Sequence, residues 1–460
     1  MMTIYNKECI MKIIIIGDGK VGSTLVSHLI KEKHNITVVD NKADVVEHLV
    51  NTYDVMGICG SGTSYDILKE AGATSADLVI AATSSDEINI LSCLICRNLG
   101  AKATIARVRN YEYSMQVNNM RDDFGINMTI NPELEAANDI LNSINFPEAL
   151  RVDSFASGKV DLVELYIPEG SPLIGLSLAK IRTTFKVNVL ICAVQRGEEV
   201  YIPTGSFTFK AGDRIHLTAT RDNIKDFLFK LGLTETKIKN VMIIGGGIVS
   251  IYLAEKLINS KYSVKIIEKD YAKCKKLTEI LPKASIIYGD GSDQELLDEE
   301  GIKSTDALVC LTNMDEENII ISMYANKVGV DKVISKVDKS SFRSIVEALG
   351  KITLVSPKAA TANRIISYVR NNESKHAGNI LTLYKLVNNT IEALEFKAVN
   401  SKVLNVPLKD LRLKSNILIA SIIRENNVII PSGMDFIQEN DLVIVITKET
   451  LLEHLDDILV

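Results

Sequence analysis

Three glycines near the start of the chain have the spacing that lets a backbone hold a pyrophosphate. Gly17, Gly19 and Gly22 follow Lys12–Ile16, a run with the length and apolar character of a buried strand, and they open a segment with apolar residues at helical spacing. In such a unit the first glycine permits a tight turn, the second lets phosphate approach the backbone, and the third allows the helix to pack closely on the strand. The helix N-terminus adds free N–H groups and the positive end of its dipole. The pattern therefore predicts a nucleotide site.

Polar residues fall at the ends of the strands that would flank this loop. Asp40 ends the second predicted strand, 23 positions after Gly17, where a carboxylate can accept hydrogen bonds from ribose hydroxyls. Because a carboxylate there repels a 2′-phosphate, we expect NAD or NADH, and ATP or ADP is also compatible. The turn after the third strand is where adenine would lie. The predicted first site consists of Gly17, Asp18, Gly19, Lys20, Val21, Gly22, Asp40, Gly60, Ser61, Thr63, Thr83 and Arg107.

Two basic residues of this set have competing interpretations. Lys20, inside the glycine loop, could contact a terminal phosphate or take no part in binding. Arg107, at the end of the fifth predicted strand, could reach a phosphate or a neighbouring subunit, or could form only an ordinary surface ion pair.

The chain carries the whole pattern twice. Lys12–Gly22 returns as Asn240–Ser250, and Ile36–Asp40 returns as Val264–Glu268, with an offset of 228 or 229 that is held over about 90 residues. The predicted second site consists of Gly245, Gly247, Ile248, Val249, Glu268, Asp290, Thr312 and Lys336.

The second copy departs from the first at positions that matter for binding. Ser250 replaces the third glycine, Glu268 is one methylene longer than aspartate, and Ile248 and Lys336 replace Lys20 and Arg107. We expect a second nucleotide site with a different affinity or ligand preference.

The expected fold is α/β, with two Rossmann-like doubly wound parallel-sheet domains, each followed by a small α+β domain. Each small domain has short β-like runs, a Pro-Gly turn and a closing helix, predicted at Asp222–Leu231 and Lys448–Leu459. The polar segment Asn371–Asn379 is an expected linker. The predicted domain limits are 12–145, 153–235, 240–372 and 380–460, after an N-terminal extension at 1–11.

Composition narrows the class of protein. The formal net charge of −6 argues against a nucleic-acid-binding surface. No run approaches the roughly 18 apolar residues of a membrane-spanning helix, and Met1–Met11 lacks the features of a signal peptide. The seven cysteines have no disulfide-framework spacing, which indicates a reducing, soluble compartment. Cys93 and Cys96 could form a redox or metal pair, but two small buried helix residues are the favoured interpretation. No metal site is predicted.

The residues above resemble the RCK (KTN) family of potassium-transport regulators. The match includes the Gly289–Ser292 turn, the strand ending in threonine before an Asp-Glu-x-Asn helix start, and the strand before Arg107. Ile130–Glu133 and Val355–Lys358 match the approaches to the family's linker helices. The resemblance covers the chain from residue 12 onward, and the tandem order resembles the peripheral regulatory subunits of Trk potassium uptake. Departures are Ser61, where the family usually has aspartate, Ser250 and Glu268.

The resemblance implies a ring of Rossmann domains on the cytoplasmic face of a Trk-type membrane potassium channel or transporter. Nucleotide binding would shift this ring between two shapes and gate the pore. It also implies a non-catalytic homo-oligomer, expected to be a homotetramer, that is peripheral on the inner face of the cell membrane through its partner.

Two other functions stay open at this point. A free-standing sensor of nucleotides or cyclic dinucleotides would have the same Rossmann halves without a membrane partner. An NAD-dependent oxidoreductase would need an acid or base over the nicotinamide, and none of the six histidines falls where that ring is expected.

Overall fold

The computed structural model describes residues 10–17, 19–110, 113, 116, 117, 119–233, 237–339, 341, 342, 345, 346, 352–373, 380–387, 390–425, 427–448 and 452–460. The chain forms two compact units, Met1–Glu135 with Pro357–Lys375, and Ala136–Ser356 with His376–Val460. Among the described residues, no helix has the length and apolar character needed to cross a bilayer.

The first unit is built on a six-stranded parallel sheet with the order β3-β2-β1-β4-β5-β6. Its strands are β1 (Lys12–Ile16), β2 (Asn35–Asp40), β3 (Met56–Cys59), β4 (Leu78–Ala81), β5 (Ala103–Arg107) and β6 (Met128–Ile130). Its helices are α1 (Lys20–Leu29), α2 (Ala43–Thr52), α3 (Tyr65–Glu70), α4 (Asp86–Leu99), the short α5 (Arg121–Phe124) and the start of α6 (Pro132–Asn145). This is the strand order of a Rossmann fold, whose ligands bind where the order reverses, between β1 and β4.

The central strands of this sheet are apolar because both of their faces are covered. All four residues of β4 are buried, and so are Ile13–Ile16 of β1. The parallel pairing brings the carboxyl ends of β1, β2 and β4 to one edge, since Ile16 lies beside Val39 and Ala81. The glycine loop and Thr83 follow these ends, and Asp40 is the last residue of β2.

A five-stranded antiparallel sheet begins the second unit, with the order β10-β9-β11-β8-β7. It contains β7 (Arg151–Phe155), β8 (Val160–Tyr166), β9 (Leu190–Arg196), β10 (Glu199–Tyr201) and β11 (Arg214–Ala219), with α7 (Leu178–Phe185) and α8 (Arg221–Lys230). Helix α8 occurs where the sequence predicts a closing helix. Its N-cap is Thr220, whose hydroxyl accepts the N–H of Asn223.

A second parallel sheet repeats the first, with the order β14-β13-β12-β15-β16-β17. Its strands are β12 (Asn240–Ile244), β13 (Ser263–Glu268), β14 (Ser285–Tyr288), β15 (Ala307–Cys310), β16 (Lys332–Lys336) and β17 (Ile352–Val355). Its helices are α9 (Ile248–Asn259), α10 (Tyr271–Ile280), α11 (Gln294–Glu299) and α12 (Asp315–Val328). The internal repeat in the sequence is therefore a repeat of the fold.

Helix α13 (Pro357–Glu373) follows this second parallel sheet in the chain but belongs to the first unit. It packs against α1, and Arg364 forms an ion pair with Glu135. The first unit is thus completed by a helix from the second half of the sequence. The predicted linker Asn371–Asn379 lies outside the described residues except for the backbone of its first three positions, which end α13.

The second small sheet has the order β18-β19-β22-β20-β21. It contains β18 (Ile380–Leu386), β19 (Ile391–Lys397), β20 (Ile417–Arg424), β21 (Asn427–Ile429) and β22 (Leu442–Thr447). The two small sheets share one apolar core, in which the rings of Phe155 and Tyr384 meet edge to face at 4.9 Å. The expected fold class is therefore confirmed.

The predicted closing helix at Lys448–Leu459 is wrong for the residues that the structure describes there. Only a single 3₁₀ turn forms, at Leu455–Ile458. The backbone around it pairs with another segment instead of continuing as a helix: the N–H of Lys414 donates to Ile458 at 2.9 Å, and that of Val460 donates to Arg412 at 3.0 Å.

Candidate functional site

The first glycine loop combines a closely packed turn with an open approach. Gly17 has φ +88°, and a Cβ placed on it would lie 2.8 Å from the Cα of Thr83 and 2.9 Å from its nitrogen. Gly19 is the N-cap of α1, and an added Cβ would meet nothing within 4 Å. Gly22 is buried within α1. The loop therefore needs glycine at its first position for packing, while its second position leaves room for a ligand.

The structure does not describe the side chains of two residues of the predicted loop. Asp18 lies outside the described residues, and of Lys20 only the backbone, at the first position of α1, is described. Val21 is buried in the same helix.

Asp40 lies at the end of β2, beside the loop. Its Oδ1 accepts the N–H of Lys42 at 2.9 Å, and its carbonyl accepts the N–H of Gly60 at 2.8 Å. In the next turn, the hydroxyls of Ser61 and Thr63 lie 2.9 Å apart. The structure thus brings the acid and the Gly60–Thr63 turn to the same edge of the sheet as the glycines.

Thr83 is held in place by a fully buried amide, that of Asn89. The Oδ1 of Asn89 accepts the N–H of Thr83 at 2.8 Å and its hydroxyl at 2.7 Å, and the Nδ2 donates to the carbonyls of Thr83 at 3.3 Å and Arg107 at 2.9 Å. Asn89 therefore joins the ends of β4 and β5 and fixes the backbone that packs on Gly17.

The second half has the same arrangement. The Oδ1 of Asn318 accepts the N–H of Thr312 at 2.9 Å, and its Nδ2 donates to the carbonyl of Lys336 at 2.9 Å. Asp86 and Asp315, which begin the helices that carry these asparagines, each accept two backbone N–H groups from the segment after the fifth strand. The sequence predicts helix starts at these motifs but not these hydrogen bonds. The equal six-residue spacing of Thr83–Asn89 and Thr312–Asn318 is the signal in the sequence that points to them.

Arg107 forms an ion pair rather than projecting from the edge of the sheet. Its Nη2 lies 2.6 Å from the Oε1 of Glu133 on α6, and both side chains are about 15% exposed. The Nε of Arg107 and the Oε2 of Glu133 are buried without a hydrogen-bond partner. Of the interactions predicted for Arg107, the structure shows the ion pair, which is mostly buried rather than at the surface.

The second glycine loop is partly closed by its own acid. Gly245 has φ +97° and packs on the backbone of Leu311. The Oε2 of Glu268 accepts the N–H of Gly246 at 2.7 Å, and the Oε1 accepts that of Asp270 at 2.8 Å. Glu268 is only 7% exposed. Each oxygen can accept a second hydrogen bond, but the burial of Glu268 leaves its carboxylate less accessible to a ribose hydroxyl than that of the half-buried Asp40.

The other second-site residues fit the fold of the first. The hydroxyl of Ser250 is buried and donates to the carbonyl of Gly245 at 2.5 Å, so serine is accommodated where the first copy has glycine. Gly247 is the N-cap of α9, with nothing within 4 Å of an added Cβ. Ile248 is exposed and Val249 is buried. The N–H and hydroxyl of Ser292 lower the pKa of Asp290 by hydrogen bonding to its carboxylate.

Cys93 and Cys96 are buried in α4, and burial raises the pKa of Cys96 to about 12. Neutral thiols at such positions are poor metal ligands and nucleophiles. Among the described residues no group of three or more potential ligands could hold a metal ion.

Family models and similar proteins of known name all indicate the same family. The model of the TrkA-N domain matches residues 13–132 and 241–357, and that of the TrkA-C domain matches 162–232 and 393–460. The Trk system potassium uptake protein TrkA of Haemophilus influenzae is 34% identical, over 95% of each chain. The TrkA homolog of Archaeoglobus fulgidus is 31% identical, over 97% of this chain and 100% of its own.

Solved structures have the same fold. The GsuK channel superposes with a TM-score of 0.63 at 18% identity, covering 96% of this chain and 78% of its own. The GsuK channel bound to NAD has a TM-score of 0.62 at the same identity and coverage.

The contrast between Gly17 and Gly19 gives a test of the loop geometry. We expect Gly17→Ala to lower the free energy of unfolding by about 1–3 kcal/mol. Alanine is strained at this positive φ, and its Cβ would collide with the backbone of Thr83. Gly19→Ala should cost less than about 1 kcal/mol, since Gly19 has φ −72° and open space. Thermal and urea unfolding of the two variants measure this difference, and equal losses would contradict the described loop.

Proposed function

The chain belongs to the family of TrkA potassium uptake proteins, and from this we propose that it is a nucleotide-sensing regulatory subunit of a Trk-type potassium uptake system. Its ligand is NAD or NADH at the first glycine loop, with ATP or ADP as the compatible alternative. The subunit acts on the cytoplasmic face of the membrane, where a separate Trk-type channel subunit holds it. The proposed domain limits are those predicted from the sequence.

The observation that carries the nucleotide proposal is the open N-terminus of α1 beside Asp40. Gly19 leaves free space where the helix offers its unpaired N–H groups, which suits the phosphates of a nucleotide. Asp40 ends the neighbouring strand, where a carboxylate suits ribose hydroxyls. The GsuK channel, which has the same fold, binds NAD, and this is consistent with the proposed ligand.

The second glycine loop is proposed as a weaker site. At both Gly247 and Gly19 an added Cβ would meet nothing within 4 Å, so both helix N-termini are open to a ligand. In the second loop, however, both carboxylate oxygens of Glu268 accept backbone N–H groups. Because Glu268 is only 7% exposed whereas Asp40 is half-buried, ribose has less access to the carboxylate of the second loop, and we expect a lower affinity than at the first loop.

Regulation requires that the nucleotide bind one shape of the assembly more tightly than another. A homotetramer supplies eight Rossmann halves, enough for a ring of the kind that the family resemblance implies. The two halves of each chain need not respond equally, which is consistent with their different glycine loops.

We expect Asp40→Ala to weaken NADH binding by about 1–3 kcal/mol, through the loss of charge-assisted hydrogen bonds to ribose. Titration calorimetry of the full chain measures the dissociation constant. Glu47→Ala, which removes an exposed carboxylate from α2 in the same domain, is the control and should leave it unchanged. An unaltered dissociation constant in a folded Asp40→Ala protein would remove Asp40 from the site.

The regulatory role is tested by co-expression with the cognate Trk-type membrane subunit, followed by detergent purification and light scattering. We expect the chain to co-purify with the membrane subunit as a tetramer. The amount of chain that co-purifies should change when NADH or ATP is added. The double variant Gly19→Asp, Gly247→Asp should co-purify without this response, because an aspartate is a favoured N-cap but repels phosphate. Failure to co-purify, with nucleotide or without, would leave the free-standing sensor.

A further inference from the structure

Two exposed tyrosines lie beside the second glycine loop. Tyr271 is the first residue of α10, directly after its N-cap Asp270, and Tyr288 is the last residue of β14. Their rings meet edge to face with centroids 5.4 Å apart and an interplanar angle of 77°. They are 59% and 61% exposed. Two large rings in contact with each other and with solvent form a small apolar surface.

The sheet places this pair at the outer end of the site. Tyr288 lies directly beside Glu268 in the pairing of β14 with β13, and the N–H of Gly289 donates to the carbonyl of Glu268 at 3.1 Å. Across three neighbouring strands, the glycine loop follows β12, the acid ends β13, and the tyrosine ends β14. This is the order of phosphate, ribose and base in an adenosine nucleotide laid across the carboxyl ends of the strands.

The first half has the same fold but small residues at the corresponding positions. The corresponding positions are Ala43, at the start of α2, and Cys59, which lies beside Asp40 in the same register. The first sheet forms its β2–β3 edge with these small residues. An aromatic pair is therefore not required to build this edge of the sheet.

Aromatic rings of this kind suit a purine. A base stacks on a tyrosine through its π face, and each such stack contributes a substantial part of binding in proteins that hold single-stranded nucleic acids. The ammonium of Lys275 lies 4.9 Å from the centroid of the Tyr271 ring, within the range of a cation–π contact.

We propose that Tyr288 and Tyr271 form a stacking surface for the adenine base of a nucleotide bound at the second glycine loop. This proposal rests on the proposed nucleotide-sensing function and adds how the second site selects its ligand. The burial of Glu268 limits its access to ribose, and the tyrosine pair supplies recognition of the base. The first site, with Ala43 and Cys59, depends instead on its loop and Asp40.

The test uses the full chain carrying Gly19→Asp, so that only the second site binds. Titration calorimetry with ATP and with CTP, which has the same triphosphate and a smaller base, gives the selectivity. We expect Tyr288→Ala to weaken ATP binding roughly tenfold and CTP binding less. Tyr288→Phe should retain the affinity because it keeps the ring. Phe229→Ala, at a 71% exposed position on α8, is the control.

The outcomes separate this proposal from the function on which it rests. If Gly19→Asp protein binds no ATP, the second site is not a nucleotide site and the stacking proposal falls with it. If ATP binds, and Gly247→Asp abolishes that binding while Tyr288→Ala and Tyr271→Ala leave it unchanged, the stacking proposal alone is overturned. A change of mass in light scattering with an unchanged dissociation constant would instead make the pair a subunit contact.

Discussion

The candidate site depends on one buried amide in each half of the molecule. Asn89 is completely buried, and both ends of its side chain are engaged by the strand ends around it. Leaving such an amide without partners would be costly, so its orientation is fixed. It thereby fixes the backbone of Thr83, which packs so closely on Gly17 that no side chain fits there. Asn318 performs the same function beside Gly245. The shape of both loops follows from these contacts.

Much of the fold could be predicted from the sequence because its signals are local. Buried parallel strands appear as apolar runs, and tight turns require glycine. The internal repeat of the sequence indicates that the two halves have the same fold. The contacts between distant segments could not be predicted. The partner of Arg107 lies on α6, helix α13 packs on a unit formed by the start of the chain, and the last residues pair with the segment near Lys414. Such contacts depend on packing in three dimensions, which no local pattern specifies.

The site was predictable in its outline and less so in its detail. The glycines, Asp40 and Glu268 lie where the spacing places them. That Glu268 bonds its own loop was not predictable, because it depends on one added methylene in a side chain next to Gly246. The two halves have the same sheet topology but differ at the edge formed by the second and third strands. The first half has small residues beside its acid, and the second has an aromatic pair. A single chain can in this way carry two sites of different preference without changing its architecture.

Hydrogen exchange of the full chain, measured by mass spectrometry with and without saturating NADH, tests most directly whether the first glycine loop holds a nucleotide. The expected result is slower exchange in peptides that contain residues 19–24 and 58–64, with little change in peptides from β9 and β22, which lie in the small sheets. Unchanged exchange at the glycine loop, or protection confined to the small sheets, would contradict a nucleotide site at the N-terminus of α1.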